Sequence, residues 1–450
     1  MSKPPTSKPK FDQHPEHAAS LVRSALAAAD PADALERAWP AELRSASRVH
    51  VLAIGKASVS LARRASQLLG PALHAGAVLA PPAHAGPARE ALGLSFGVYE
   101  TDHPLPTARN EEAARHVAQL AAELTDADTL LTLVSGGASA QLTLPAGGVS
   151  IADLAAITEF LLKAGATIHE LNTVRKHAEQ LKGGGLARLA RPAHVITRVA
   201  SDVIGDDPGV VSSGPTAPDP TPFDEALDVL ARYAARRVAP GVTARLIRGT
   251  RGEAQETVKP DDPLWRNNDL RVIASNAAMI EAVARHASEL GFDVVEARSG
   301  VEGEAAALGR YLARRAIALQ AVADRPSAIL LGGEATVTVG EAPGLGGRNQ
   351  ELAAASALEL QGAEGIAVLA LATDGVDGPT DAAGALVHTG TAANATDIGV
   401  SLEAALHAHD THSLLDRLNA LVRTGPTGVN LIDLYAALIY PKPVGSGSGE

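Results

Sequence analysis

The chain has 450 residues, 46% apolar and 20% charged, with 39 Lys+Arg against 51 Asp+Glu for a formal net charge of −12. That length favours two or three domains with ample core, and the acidic balance argues against a general nucleic-acid binder, which needs a basic face for phosphates. Zero cysteines exclude disulfides, thiolate metal sites and a Cys nucleophile, and no run approaches the ~18 apolar residues of a membrane span.

Residues 1–14 are rich in Pro, Lys and Ser, lack the apolar stretch of a signal peptide, and are expected to be disordered. Residues 445–450 alternate Gly and Ser and are expected to be disordered as well. A cytoplasmic protein with no membrane contact is the resulting expectation. Two helices open the ordered part, Glu16–Ala29 and Pro31–Trp39, the second with Asp30 as cap and Pro31 in the first turn. Short apolar runs follow at Val49–Ile54, Ala77–Leu79, Leu94–Tyr99, Thr129–Val134 and Val195–Ala200, with helical patterns between several of them. Residues 236–268 carry Pro240, Gly241, Gly249, Gly252, Pro260 and Pro263 with little periodicity, which marks a boundary. Beyond it, strands are expected at Val272–Ser275, Val294–Ala297, Ala328–Leu331, Thr336–Val339 and Ile366–Ala372. Helices are expected at Ala277–Leu290, Glu304–Val322, Asn349–Leu360, Leu402–His409, Thr411–Leu421 and Leu431–Leu438. Strands at helix-length spacing predict an α/β protein of two αβα-type lobes, with mostly parallel sheets, helices on both faces and the active site in the inter-domain cleft. The lobes are set at 15–240 and 269–440, with a linker region at 241–268.

In open α/β sheets ligands bind beyond the carboxyl ends of the strands, so the residues just after each apolar run carry the functional reading. Gly55-Lys56-Ala57-Ser58 opens a helix after the first run. It can be an anion site or a tight turn with a surface lysine, but not a Walker A loop, because His50 and Ala57 stand at required Gly and Ser/Thr positions. Lysine is scarce between Phe11 and Tyr440, where only Lys56, Lys163, Lys176, Lys182 and Lys259 occur. Ser135-Gly136-Gly137-Ala138-Ser139 can bring backbone close to a phosphate or carboxylate, or be a plain glycine turn. The stretch from His169 to Gly185 is densely polar, although Arg175, Lys176 and Glu179 would also suit a solvated helix face. Ser201-Asp202-Val203-Ile204-Gly205-Asp206-Asp207 places three carboxylates after a strand, fit for a hard cation or a general base. In the second half Gly332-Gly333-Glu334, Gly346-Gly347-Arg348-Asn349 and Thr373-Asp374-Gly375-Val376-Asp377 occupy equivalent positions. Arg348 lies at a helix start, where its fork can clamp a phosphoryl or carboxylate group. No G-x-G-x-x-G, HExxH or GxSxG occurs.

These blocks, together with Ile168-His169-Glu170-Leu171-Asn172-Thr173-Val174-Arg175-Lys176-His177 and Thr424-Gly425-Pro426-Thr427-Gly428, stand in the order found in class II glycerate 2-kinases. The chain resembles that family from about Ala18 to Leu438. It is the family whose C-terminal part is called MOFRL, and some of its members are labelled hydroxypyruvate reductases. One departure is Ala138, where many members have a third Gly in the loop. The resemblance implies two α/β lobes with the site between them. It also implies ATP- and Mg²⁺-dependent phosphorylation of D-glycerate at its 2-hydroxyl, giving 2-phosphoglycerate and ADP. Lys56 and Arg348 take the positions of the family's active-site cations.

Phosphoryl transfer to a hydroxyl needs cations, in-line positioning and a metal such as magnesium or another divalent cation. Lys56 and Arg348 are therefore assigned to the transferring phosphoryl group or the glycerate carboxylate, and Asp202 to orienting or deprotonating the 2-hydroxyl. Asp206 and Asp374 are assigned to the metal. Ser135, Gly136, Gly137 and Ser139 would cradle an anionic group, with Asn172, Lys176, Glu334, Asn349 and Asp377 as further substrate- or phosphate-binding residues. Small molecules are the expected partners, with no nucleic acid, and a homodimer is allowed. The rivals are an NAD(P)H-dependent hydroxypyruvate reductase, against which the missing dinucleotide fingerprint weighs, and a non-catalytic ligand-binding protein on the same scaffold.

Overall fold

The computed structural model describes residues 8–340 and 344–442. The expected disorder at 1–7 and 445–450 lies outside the described residues. Residues 8–14 are ordered: a 3₁₀ turn forms at Phe11–Gln13, and the helix His14–Ala29 follows directly. Two compact units divide the chain. One is Pro31–Ile273; the other joins the chain up to Asp30 with the chain from Ala274 onward. The two opening helices thus belong to different units, and the division falls at Ile273/Ala274, after the stretch 241–268 and not within it. Among the described residues no helix is long and apolar enough to cross a membrane.

The Pro31–Ile273 unit is built on β1 (Val49–Ile54), β2 (Leu73–Ala80), β3 (Phe96–Glu100), β4 (Thr129–Val134), β5 (His194–Ala200) and β6 (Asn268–Ala274), in the spatial order β3-β2-β1-β4-β5-β6. The pairings among β1 to β5 are parallel. Both faces are covered, which is why these strands read as unbroken apolar runs. Leu52 and Ile54 of β1 pack into one core, and Val49, Val51 and Ala53 into the other. Ile54 pairs with Val134, and Val134 with Val199, so the three central strands end in line and deliver their loops to one edge. The helices Ile151–Lys163, Ile168–Ala178, Phe223–Arg232 and Pro240–Thr250 close a separate apolar core around Leu171, Val174, Phe223 and Leu246. Much of the expected linker is therefore folded.

The second unit holds β7 (Asp293–Glu304), β8 (Ser327–Thr336), β9 (Ile366–Ala372), β10 (Gly384–His388), β11 (Leu421–Val422) and β12 (Asp433–Ile439), in the order β11-β10-β9-β12-β8-β7. The α/β class holds, but this sheet is mixed. β7 and β8 are parallel, whereas β12 runs antiparallel between β8 and β9, and β10 is antiparallel to β9 and β11. The helix expected at Leu431–Leu438 is thus the central strand β12. Its residues are buried throughout, and a continuous apolar run rich in Ala and Leu has no period that separates a buried strand from a buried helix. No separate strand forms at Thr336–Val339, because β8 runs through to Thr336. The core sets Val368, Ala370, Tyr435, Ala437 and Ile439 against the helices Ala305–Gln320 and Arg348–Glu359. The helix His14–Ala29 packs on the helix Asn276–Glu289, with Ser20 Oγ 2.8 Å from His286 Nε2.

Candidate active site

In the first unit three strand-end loops interlock. Gly55, at φ 105°, lets β1 turn back on itself, and its amide donates to Gln141 Oε1 at 2.8 Å. The Lys56 amide donates to the Gly136 carbonyl at 2.9 Å, and the Ala57 amide to Ser135 Oγ at 3.0 Å. Ser135 Oγ also donates to the Ile54 carbonyl at 3.2 Å. This hydroxyl therefore fastens β4 to β1 and is not left over for substrate, a correction to its expected role. Gly136 is where Asp202 from the β5 end comes in: a Cβ at that position would overlap the carboxylate. The half-buried Asp202 thus sits directly on the glycine loop. Gly137, in the left-handed region at φ 87°, is flanked by the Lys56 stem and the His103 ring. Lys56 itself is exposed.

Two groups in this site were not foreseen. His103 follows β3, a position that a stricter reading of strand ends would have caught. Desolvation lowers its pKa, and the Lys56 and Arg175 cations lower it further, so the ring is neutral near pH 7. Arg175 is buried, not on a solvated face; desolvation lowers its pKa while Glu179 acts against that. Ser139 Oγ lies 3.0 Å from Ser213 Oγ, which donates to Asn172 Oδ1 at 2.8 Å; Asn172 Nδ2 donates to the Val210 carbonyl at 3.0 Å. Asn172 accordingly pins the turn after β5 instead of facing a ligand. Asp206 is half-buried on that turn at φ 54°. Lys176 is the clearest departure: it is buried, pairs with Asp219 at 3.4 Å, and faces a different cavity from the glycine loop.

In the second unit the register of β12 sets the geometry. Asp433 pairs with Gly333 on one side and Ala372 on the other, so Asp433, Glu334 and Asp374 share one edge of the sheet. Arg348, the first residue of its helix, is gripped there. Its Nε is 2.7 Å from Asp433 Oδ2, its Nη2 donates to Asp433 Oδ1 at 3.1 Å, and its Nη1 donates to Glu334 Oε1 at 2.6 Å. Tyr435 donates its hydroxyl to Asp433 Oδ2 at 3.0 Å. Burial pushes the Asp433 carboxyl up to about 7, although Arg348 pulls it down. Desolvation works against the charge on Arg348, but Asp433 and Glu334 leave its pKa above the ordinary arginine range. Asp433 eluded the sequence reading because it begins an antiparallel strand, whereas the strand-end rule looks only after strands.

Asp377 is buried, and its two oxygens accept from the amides of Asn349 (3.0 Å) and Gln350 (2.8 Å) and from both side-chain amides (3.1 Å each). It caps the helix that presents Arg348. Asp377 and Asn349 are therefore mutually engaged positioning residues, not ligands for phosphate. A cavity of about 510 Å³ opens beside them, lined by Arg348, Asp374, Glu351 and His409 among others. One Asp374 oxygen accepts from the Val376 amide at 3.0 Å. Among the described residues no three His, Asp or Glu form a metal-holding group. Single carboxylates such as Asp374 and Asp206 do fit magnesium, which characteristically takes one or two carboxylates plus substrate phosphates.

An ammonium beside a glycine loop in one unit and a guanidinium fixed at a helix start in the other are each the kind of group that an α/β enzyme for small anionic substrates needs. The first sheet has the strand order of dinucleotide-binding folds, but its first loop is Gly55-Lys56-Ala57-Ser58 and lacks the glycine fingerprint. Residues 17–247 match the family described as "Domain of unknown function (DUF4147)", and residues 327–433 match the MOFRL family. The "Glycerate 2-kinase" of Pyrococcus horikoshii is 35% identical, covering 94% of this chain and 96% of its own. The crystal structure of the glycerate kinase of Thermotoga maritima superposes with a TM-score of 0.86 at 34% identity, covering 95% of this chain and all of the other. A relative from Agrobacterium vitis, 37% identical over 93% of both chains, carries hydroxypyruvate reductase as a provisional label. The chain belongs to the MOFRL-type glycerate 2-kinase family.

Proposed function

We propose that the protein transfers the γ-phosphoryl group of ATP to the 2-hydroxyl of D-glycerate, giving 2-phosphoglycerate and ADP. The names of the full-length relatives support the substrate, and one structural observation carries the chemistry: a guanidinium locked in orientation by a buried carboxylate on the wall of a cavity. Negative charge grows on the phosphoryl oxygens in the transition state, so a cation already oriented stabilises it without reorganising. Arg348 fills that role, because Asp433 and Glu334 hold its fork and Asp377 holds its helix. Lys56 supplies the second cation. Asp202 orients the 2-hydroxyl and takes its proton, and the glycine at 136 allows that carboxylate to approach. Asp374 in one unit and Asp206 in the other are each a carboxylate that could hold magnesium, which would supply charge neutralisation of the nucleotide phosphates. A cytoplasmic setting, where ATP is in supply, goes with this reading.

The test is ³¹P NMR of the products formed from ATP, Mg²⁺ and D-glycerate, which separates the 2- from the 3-phosphate. Lys56→Ala and Arg348→Ala should each lower turnover by ~10²–10³. Wild-type turnover in both variants would remove these residues from the mechanism. Hydroxypyruvate-dependent oxidation of NAD(P)H with no phosphorylated product would replace the reading with a reductase.

A further inference from the structure

The first unit holds a second polar cavity, of about 480 Å³, bounded by the C-terminal half of the helix Ile168–Ala178, the glycine turn after it, the helix Gly185–Leu189 and the segment Gln255 to Thr257. That size is in the range of small-molecule sites. It is lined by an unusual density of charge, most of it already neutralised. Lys182, fully buried, is bonded to Glu179 and donates to the Leu142 carbonyl at 2.9 Å. His177 Nε2 is 3.0 Å from Glu256 Oε1, and Lys176 pairs with Asp219.

Two cations remain. Arg188 and Arg245 both face this cavity, both are half-buried, and among the described residues neither forms an ion pair. Their hydrogen bonds run to backbone carbonyls: Arg188 Nη2 donates to the Glu256 carbonyl at 2.8 Å, and Arg245 donates through Nη2 to the Gln255 carbonyl at 3.1 Å and through Nε to the His177 carbonyl at 3.4 Å. Arg245 is also stacked, its guanidinium carbon 5.7 Å from the centroid of the Phe223 ring. Desolvation lowers the pKa of both and Arg248 lowers Arg245 further, while Glu256 acts against this on both and Asp262 does so on Arg188. Half-burying two guanidinia with no carboxylate in direct contact is unfavourable, and a bound dianion would relieve it.

We propose that this cavity is a binding site for the phosphate monoester of a small molecule, held by the forks of Arg188 and Arg245 and separate from the glycine-loop site of Lys56. Two unpaired positive charges match the two negative charges of a phosphate monoester, and planar guanidinia suit its oxygens. The ligand can be the phosphorylated product of the proposed reaction, the nucleotide product, or free phosphate; all share the chemistry that the site recognises.

The experiment is calorimetric titration of the full chain with inorganic phosphate, ADP and 2-phosphoglycerate as separate arms. It is done in wild type, in Arg188→Gln/Arg245→Gln, in Arg188→Lys/Arg245→Lys and in Lys56→Ala/Arg348→Ala. At least one probe should still bind when Lys56 and Arg348 are removed, and its binding should weaken by about a hundredfold in the glutamine pair. The lysine pair, which keeps the charge, should recover part of that loss, and KM for D-glycerate should stay within about twofold in the glutamine pair. The proposal is overturned if the glutamine pair binds every probe as wild type does, or if removing Lys56 and Arg348 abolishes all binding. Because binding is read directly, this outcome is independent of whether glycerate is the acceptor.

Discussion

Arg348 shows how a single charge is made usable. A lone guanidinium at a helix start repels the partial positive charge of the amides there; Asp377 accepts from those amides, and Asp433 and Glu334 accept from the guanidinium, which makes the position tenable. The Asp433 carboxyl, at about 7 against an ordinary 3.8, is held more tightly protonated in the native state than in the unfolded one. Its contribution to stability is therefore full below pH ~4 and is lost as pH rises through about 7. Asp433→Asn should flatten that part of the stability curve, measured by chemical denaturation between pH 4 and 8. An unchanged slope would remove Asp433 from the titration. At the other site, Lys56→Met takes away one of the two cations that depress His103, so the imidazole pKa should rise in an NMR titration. A constant His103 pKa would mean that the two side chains do not share the face of Gly137. Lys56, Arg348, Asp202 and Asp374 were legible as residues because they follow apolar runs. Arg175 and Asp433 were not, since their charge matters only through neighbours brought in by other strands, whereas His103 was passed over although it follows β3.

At the scale of the element, the helix Arg348–Glu359 is buried along most of its length and begins without a side-chain cap from its own N-cap residue, Gly347. The cap comes from Asp377, twenty-eight positions on from Asn349. Asp377→Ala leaves buried amides unbonded and should cost about 2 kcal/mol of stability, with a larger loss in kcat than in KM because Arg348 loses its aim. Equal Tm and kcat to wild type would refute the capping role. The strands of the first sheet could be read directly, since parallel strands covered on both faces give short apolar runs between helices. The same logic failed at Leu431–Leu438, where an Ala- and Leu-rich run without polar interruptions fits a buried helix as well as β12. The linker expected at 241–268 was misjudged because Pro240, Gly241 and Gly249 punctuate a helix instead of ending one. Pro240 occupies the first turn, where its missing amide is tolerated, and Gly249 gives room to the Phe223 ring.

On the scale of the whole molecule, sequence order and structural membership diverge. The helix His14–Ala29 belongs with the chain beyond Ala274, where Ser20 meets His286 and His17 Nδ1 lies 2.9 Å from the Tyr440 hydroxyl. Deleting residues 1–30 should therefore raise hydrogen exchange in the helix Asn276–Glu289 and in β12 while leaving β1 and β4 protected, although the cut lies nearer to β1 in sequence. Loss of protection in β1 instead would reverse the assignment of that helix. The position of β12 has a consequence for biosynthesis. The sheet of the second unit has its middle filled by the last of its strands to be synthesised, so while translation proceeds β8 and β9 wait with facing edges unpaired. The Pro31–Ile273 unit can fold as it leaves the ribosome. Its companion cannot, and a nonsense codon a dozen sense codons short of β12's end would strip out the keystone strand, together with the carboxylate that aims the Arg348 guanidinium.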